Sequence, residues 1–288
     1  MRRKITYKKF LKDKVLLITG GSGSIGSALT KKLLEYPVKA IRVLDVNENT
    51  LFYLKRIIND PRLRLLLGDI QDYERVELAG NDVDIVIHLA AIKNIEISEY
   101  NPIETINTNI IGTVNLIKMA KRNKPKIFLN ISTDKAVNPS TLYGNTKQIS
   151  EILTTWAVND ETKFSSARFG NVFETRGNVF DVWGNEVKSK KPISITDPLM
   201  ERYFFHIGDA VEFIIKCLSM TKGEGEIFVP KLKSYKILTL AKQVSKNYKI
   251  IGRRKGEKLK EILITKEEKE FAKEINSMWI IKPKRFED

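Results

Sequence analysis

The stretch 14-KVLLITGGSGSIGSAL-29 governs how the rest of the chain is read. Lys14 to Thr19 is a nearly continuous apolar run of the length expected for a strand buried on both faces. Gly20, Gly23 and Gly26 follow at once and lead into an amphipathic helix over about 24–34. Glycines after a buried strand permit a tight turn. They also let backbone N–H groups at a helix start approach a pyrophosphate. The spacing is Gly-x-x-Gly-x-x-Gly rather than the commoner Gly-x-Gly-x-x-Gly, so the strand and helix around it carry the inference. Ser24 and Ile25 lie inside the turn and belong to the same expected cofactor contact.

Working outward, strands are expected at "AIRVLD" (40–45), "LRLLLGD" (63–69), "VDIVIHLA" (83–90), "KIFLNIST" (126–133) and "KFSSARFG" (163–170). A long helix is expected over 103–122 and another opening at Leu142. Strands alternating with helices predict an α/β fold with a doubly wound parallel sheet. After Gly170 the elements shorten and Gly, Asn, Pro and aromatics become frequent. We therefore expect a dinucleotide-binding domain over 1–170, with a helix at about 208–222 returning to it. A smaller, discontinuous C-terminal substrate lobe is expected over 171–207 plus 223–288, with the site in the crevice between lobes.

Asp45 ends the second strand nineteen residues after Gly26. A carboxylate there accepts hydrogen bonds from ribose hydroxyls and repels a 2′-phosphate, which favours NAD over NADP. Arg42 lies nearby but inside the strand. Asp69 and Ile70 are placed to meet an adenine, and Ala90, Ala91 and Lys93 follow the fourth strand, where the middle of the cofactor should pass. His88, within that strand, reads as a core histidine.

Tyr143 and Lys147 stand one helical turn apart and share a face. A neighbouring ammonium, together with the nicotinamide charge, is expected to lower the phenol's pKa and make it a usable base. Thr133, at the end of the preceding strand, is placed to hydrogen-bond a substrate hydroxyl. Asp134 and Lys135 lie between these groups.

The residues bear a family resemblance. "TGGSGSIG", "AAIKNIEISEYNP", "TNIIGTVNLI", "STDKAVNPSTLYGNTK", "RFGNV", "ITDPLMERYF" and "GRRKGEKLKE" resemble motifs of the extended short-chain dehydrogenase/reductase superfamily, a Rossmann-like fold. More narrowly they resemble the polysaccharide-biosynthesis nucleotide-sugar dehydratases, including the inverting UDP-N-acetylglucosamine 4,6-dehydratases. The resemblance implies that Tyr143, Lys147 and Thr133 oxidise a UDP-sugar at C4 with NAD. It implies that Lys135 removes the C5 proton and that Asp134 protonates the departing C6 hydroxyl. Where retaining sugar dehydratases have Asp-Glu, this chain has Asp134-Lys135, the mark of the inverting group. Lys93, Asn171, Arg202, Arg254 and Glu257 match expected contacts to the nucleotide sugar, and a homo-oligomer is the family expectation. Departures include Asn94, Lys255, Lys260, and Glu174 and Asn178 in "ETRGNV", which are expected near the substrate. A nucleotide-sugar 4-epimerase is the alternative, because it needs Tyr143, Lys147 and Thr133 but no elimination pair.

Composition adds bounds. One cysteine, Cys217, excludes an intrachain disulfide, and with two histidines no metal centre is expected. No apolar run suggests a membrane span and the basic N-terminus lacks an apolar signal core, so cytoplasm is expected. The net charge of +15 is spread along the chain beside glutamates, as in "ITKEEKEFAKE". That pattern reads as solvated surface, and no specific nucleic-acid partner is expected.

Overall fold

The computed structural model describes residues 2–283, so Met1 and residues 284–288, the ends of the two expected domains, lie outside the described residues. The first half contains β1 (Val15–Thr19), β2 (Ala40–Asp45), β3 (Leu63–Leu67), β4 (Ile85–His88), β5 (Ile127–Thr133) and β6 (Lys163–Phe169). Then come β7 (Asn171–Val172), β8 (Ile193–Ile195), β9 (Glu201–Phe205), β10 (Ile227–Pro230), β11 (Ser234–Lys236), β12 (Tyr248–Ile250), β13 (Ala272–Ile275) and β14 (Met278–Ile281).

Among the described residues, the large sheet has nine strands in the order β13-β14-β10-β6-β5-β4-β1-β2-β3. Pairing from β3 through to β10 is parallel, and the β14 and β13 pairings are antiparallel. All of β1 is buried, and its side chains divide by parity. Leu16 and Ile18 pack on one face of the sheet, whereas Val15 and Leu17 pack on the other. This explains why a two-sided strand reads as an unbroken apolar run. Successive connections leave β1 in opposite directions, toward β2 on one side and β4 on the other. That is the switch point at which open α/β sheets bind ligands.

The helix Ile207–Met220 buries Ala210, Val211, Ile214 and Cys217 against the large sheet, and Glu212 pairs with Lys32 on the helix Ser24–Leu33. The smaller lobe is built from the sheet β11-β9-β7 and the pair β12-β8 around buried Trp183. Two expectations are corrected here. Residues 227–230 and 272–281, expected in the small lobe, instead extend the large sheet beyond β6. A four-residue buried strand such as "IFVP" carries no periodicity that would tell one core from another. The helix expected over 103–122 is interrupted: Pro102–Ile106 and Gly112–Asn123 are joined by a π-helical turn, Asn107–Ile111.

Candidate active site

The glycine turn and the loop after β4 touch at the switch point. Gly20 adopts φ +65°, and a Cβ there would lie 2.7 Å from the Ala90 backbone, so only glycine fits. Gly23 starts the helix Ser24–Leu33 without a side-chain cap, which leaves its first N–H groups for a ligand. Around them lies a cavity of about 410 Å³, walled by Gly20, Gly23, Ser24, Ile25 and Gly26, by Asp45, Asp69 and Ile70, and by Ala90, Ala91 and Lys93. These cofactor-side residues come together from four separate strand ends. Tyr143 and Lys147 are not part of that wall.

Asp45 accepts from the backbone N–H of Ser22 at 3.1 Å and of Asn47 at 3.1 Å, which fixes its carboxylate beside the turn. Arg42 points away and donates to the Ala79 and Asn81 carbonyls. The cradle that a Cβ would fill, the free helix start and the fixed carboxylate fit a dinucleotide cofactor of the NAD type. His88 is a core residue: Nδ1 lies 2.8 Å from Thr19 Oγ1 and Nε2 lies 3.1 Å from Thr113 Oγ1. Burial, with Lys147 adding to it, pushes the imidazole down to about 3.

The second cluster sits at the end of β5. Asp134 is fully buried in the turn Asp134–Ala136, where its Oδ1 accepts from Thr133 Oγ1 at 3.0 Å and from Lys135 Nζ at 3.0 Å. Its Oδ2 is buried with no hydrogen-bond partner. With side-chain exposures of 0% and 17%, Asp134 and Lys135 are not a surface ion pair. The helix Leu142–Trp156 lies on this turn because Gly144 has no side chain: a Cβ would stand 2.4 Å from the Lys135 carbonyl oxygen. Thr141 caps the helix by accepting from Gly144 N–H at 3.2 Å. Tyr143, half-buried, thus stands beside Thr133 and Asp134.

Without the nicotinamide charge, the protein's own groups do not lower the Tyr143 pKa. Burial pushes the phenol up and the Asp134 carboxylate adds to the rise, while a hydrogen bond with Thr133 opposes it. The charge acting on the phenol is thus the Asp134 carboxylate. Lys147 is buried, which pushes it down to about 8 against an upward pull from Glu151, one turn further along the helix.

The substrate-side residues divide. Arg254 pairs with Glu96, and its N–H donates to Glu257 at 3.1 Å. Their loop rests on the segment between Lys135 and Tyr143: Ser140 Oγ donates to the Gly256 carbonyl at 2.6 Å, and Lys258 Nζ to the Val137 carbonyl at 2.8 Å. Asn171 donates to the Tyr203 carbonyl at 3.1 Å. Lys93 keeps an exposed surface, yet the crowding of the cleft and Arg176 lower its pKa. Arg202 is buried, and it donates to the carbonyls of Glu201, Lys258 and Leu259, which clamps the 257–260 loop. Glu174 and Asn178 also have structural partners. Glu174 holds His206 and the Ile207 N–H, while Asn178 caps the helix Val179–Lys188.

Two residues at the site escaped the sequence reading. Asn109, in the π-helical turn, bonds both the N–H and the carbonyl of Ile92 and donates to Thr146 Oγ1 at 3.0 Å. It ties the loop after β4 to the Tyr143 helix, and apolar periodicity carries no trace of a π-turn. Arg176 crosses from the small lobe onto the glycine turn. Its N–H donates to Ser24 Oγ at 3.0 Å, its Nη2 to the Ser22 carbonyl at 3.0 Å, and its carbonyl accepts from Lys93 at 3.2 Å. The "TRGNV" motif was the available signal.

The sequence model of the family described as "Polysaccharide biosynthesis protein" matches residues 16–283. The chain belongs to this family. It is 41% identical over 278 residues to an inverting UDP-N-acetylglucosamine 4,6-dehydratase of Campylobacter jejuni, covering 94% of this chain and 83% of that protein. It is 41% identical over 291 residues to an uncharacterized membrane protein of Methanocaldococcus jannaschii (95% and 87%). A UDP-glucose 4-epimerase of Rickettsia bellii is 35% identical over 283 residues (93% and 83%). Among solved structures, Pen from Bacillus thuringiensis superposes with a TM-score of 0.91 at 36% identity, over 94% of this chain and 88% of that one. The extended short-chain dehydrogenase/reductase fold thus holds over nearly the whole chain. Among the described residues, no helix is long and apolar enough to cross a membrane.

Proposed function

We propose that the chain is an NAD-dependent nucleotide-sugar 4,6-dehydratase of the C5-inverting kind, acting on UDP-N-acetylglucosamine or a related UDP-sugar. The observation that carries this reading is the buried Asp134–Lys135 contact beside Tyr143. When bound, NAD supplies a reversible two-electron acceptor, and the glycine turn with Asp45 would hold it. Thr133 and Tyr143 grip the C4 hydroxyl, and Tyr143, as a phenolate steadied by Lys147, takes its proton and becomes the neutral phenol. A ketone at C4 acidifies the C5 proton. Lys135 removes that proton, Asp134 protonates the C6 hydroxyl so that it leaves as water, and the hydride taken from C4 would then return to C6 while C5 is reprotonated, so that one water is lost overall.

Those roles require neutral Lys135 and protonated Asp134. Transfer of one proton along their 3.0 Å contact produces both at once. The partnerless Asp134 Oδ2 is a free position for the departing hydroxyl. Lys93, Asn171, Arg254 and Glu257 line the route for the nucleotide in the crevice between the large sheet and the small lobe. A homo-oligomer is part of this reading, since Tyr100, Ile103, Ile152 and Trp156 expose apolar surface on neighbouring helices.

The Rickettsia relative favours a second reading, a 4-epimerase. On either reading the chain is an enzyme of the nucleotide-sugar dehydratase and epimerase kind. Mass analysis of products from a panel of UDP-sugars separates the two. Loss of one water is expected, and exclusively isobaric products would replace the dehydratase with the epimerase.

A further inference from the structure

Behind the Tyr143 helix, four buried or half-buried ionisable groups follow one another with alternating sign. Lys147 is followed one turn later by Glu151, also buried. Glu151 takes two bonds from Arg168 on β6, Nε to Oε1 at 2.9 Å and Nη2 to Oε2 at 2.7 Å. The remaining side of that guanidinium is held by Glu268, with Nη1 to Oε2 at 2.9 Å and Nη2 to Oε1 at 2.8 Å. Glu268 belongs to the short helix Lys266–Glu270, where Thr265 and Glu268 form a reciprocal capping box. The C-terminal segment therefore places a carboxylate, 121 positions from Lys147 in sequence, on the far end of a charge chain that starts at Lys147.

The charges decide what this arrangement does. With Glu268 present, Arg168 is shared between two anions and the cluster of four is neutral. Without the Glu268 charge, Arg168 neutralises Glu151, and Lys147 is left as the uncompensated buried cation. We propose that Glu268 is a positioning residue that keeps Lys147 protonated, acting through Arg168 and Glu151. This inference rests on the reading of Tyr143 and Lys147 as the acid–base pair. Of the other ionisable groups, His88 on β4 interacts with Lys147, Tyr143 stands one turn back on the same helix, and Asp134 acts on Tyr143. None of these depends on the C-terminal segment. Glu99 faces the Leu142 N–H at 2.7 Å instead.

The test is the titration of Lys147, followed by NMR of ε-13C lysine with Lys147→Arg to assign the signal, together with the pH profile of turnover. In Glu268→Gln the lysine should titrate lower by about half a pH unit or more, from a charge acting through the protein interior. The limb of the profile that the Lys147 proton sets should move to lower pH with it. Glu268→Asp should restore them. Thr265→Ala, which loosens the cap but keeps the charge, should shift Lys147 in the same direction by less, and it serves as the test if Glu268→Gln does not fold. An unmoved Lys147 titration in the folded variant, with only amplitude or melting temperature reduced, would overturn the proposal. The NMR titration reads the inference even if no UDP-sugar is turned over, so its failure is distinct from failure of the dehydratase reading.

Discussion

Asp134–Lys135 and Glu151–Arg168 are both ion pairs in contact with the helix Leu142–Trp156, but they are built to opposite specifications. Glu151 uses both oxygens on Arg168, whose remaining donors go to Glu268 and the Leu263 carbonyl. Burial alone would lower the Arg168 pKa, and the two carboxylates overturn that and raise it. In Asp134–Lys135, one oxygen takes both available donors and the other takes none. A saturated pair holds its protons and its geometry. A pair with a vacant acceptor can exchange a proton and admit a substrate group. The difference separates a structural ion pair from a chemical one, although both are buried.

Substitutions can break this comparison. Lys135→Ala should lower product formation by about 10³-fold, as loss of a positioned base does, while residual cofactor reduction by the UDP-sugar, read by absorbance, persists. Arg168→Met should cost about 3–5 kcal/mol in denaturant unfolding, because it strands two carboxylates, one fully enclosed. Lys135→Met should cost less, because it affects one carboxylate that still accepts from Thr133. Equal stability losses at the two pairs would erase the distinction.

A smaller effect is expected where the small lobe meets the glycine turn. Arg176→Ala removes the side-chain contact to Ser22 and should lower the NAD content of purified protein by about tenfold, from loss of one charged hydrogen bond. Unchanged NAD content and off-rate would show that Arg176 does not fasten the cofactor site.

The smallest effect is a pH dependence. Glu174 anchors the start of the Arg176 segment on His206, which Glu174 raises above its ordinary 6.5, while His206 and the Ile207 N–H hold Glu174 below its ordinary 4.5. The histidine's contribution is complete below 6.5 and fades as pH rises through its raised value. The carboxylate's contribution is complete above 4.5 and fades as pH falls through its lowered value. NAD release should therefore be slowest between those values and quicken modestly above the raised histidine pKa. A release rate flat across this range, or equally pH-dependent in His206→Gln, would contradict the anchor.

What could be read beforehand follows the range of the interactions. The glycine turn was legible because Gly20 needs both positive φ and close approach to Ala90, and those needs leave a mark in residue type. β1 to β6 were legible because two-sided burial imposes apolar runs. Tyr143, Lys147, Asp134 and Lys135 were legible because helix and turn geometry are local. Contacts that join distant segments left no such mark. Examples are Arg168 with Glu268, Arg202 with the 258–259 carbonyls, and β10 with β6 and β14. Asn109 was hidden by a local irregularity. The Tyr143 environment was read incompletely because i and i+4 spacing names Lys147 as its neighbour but says nothing of Asp134.

The central claim, elimination by Lys135 and Asp134, is tested most directly by incubating the protein with UDP-N-acetylglucosamine in heavy water and weighing the product. The account predicts a product lighter by one water and carrying solvent deuterium at C5, with neither change in Lys135→Ala. A product of unchanged elemental composition, with no deuterium at C5, would contradict it.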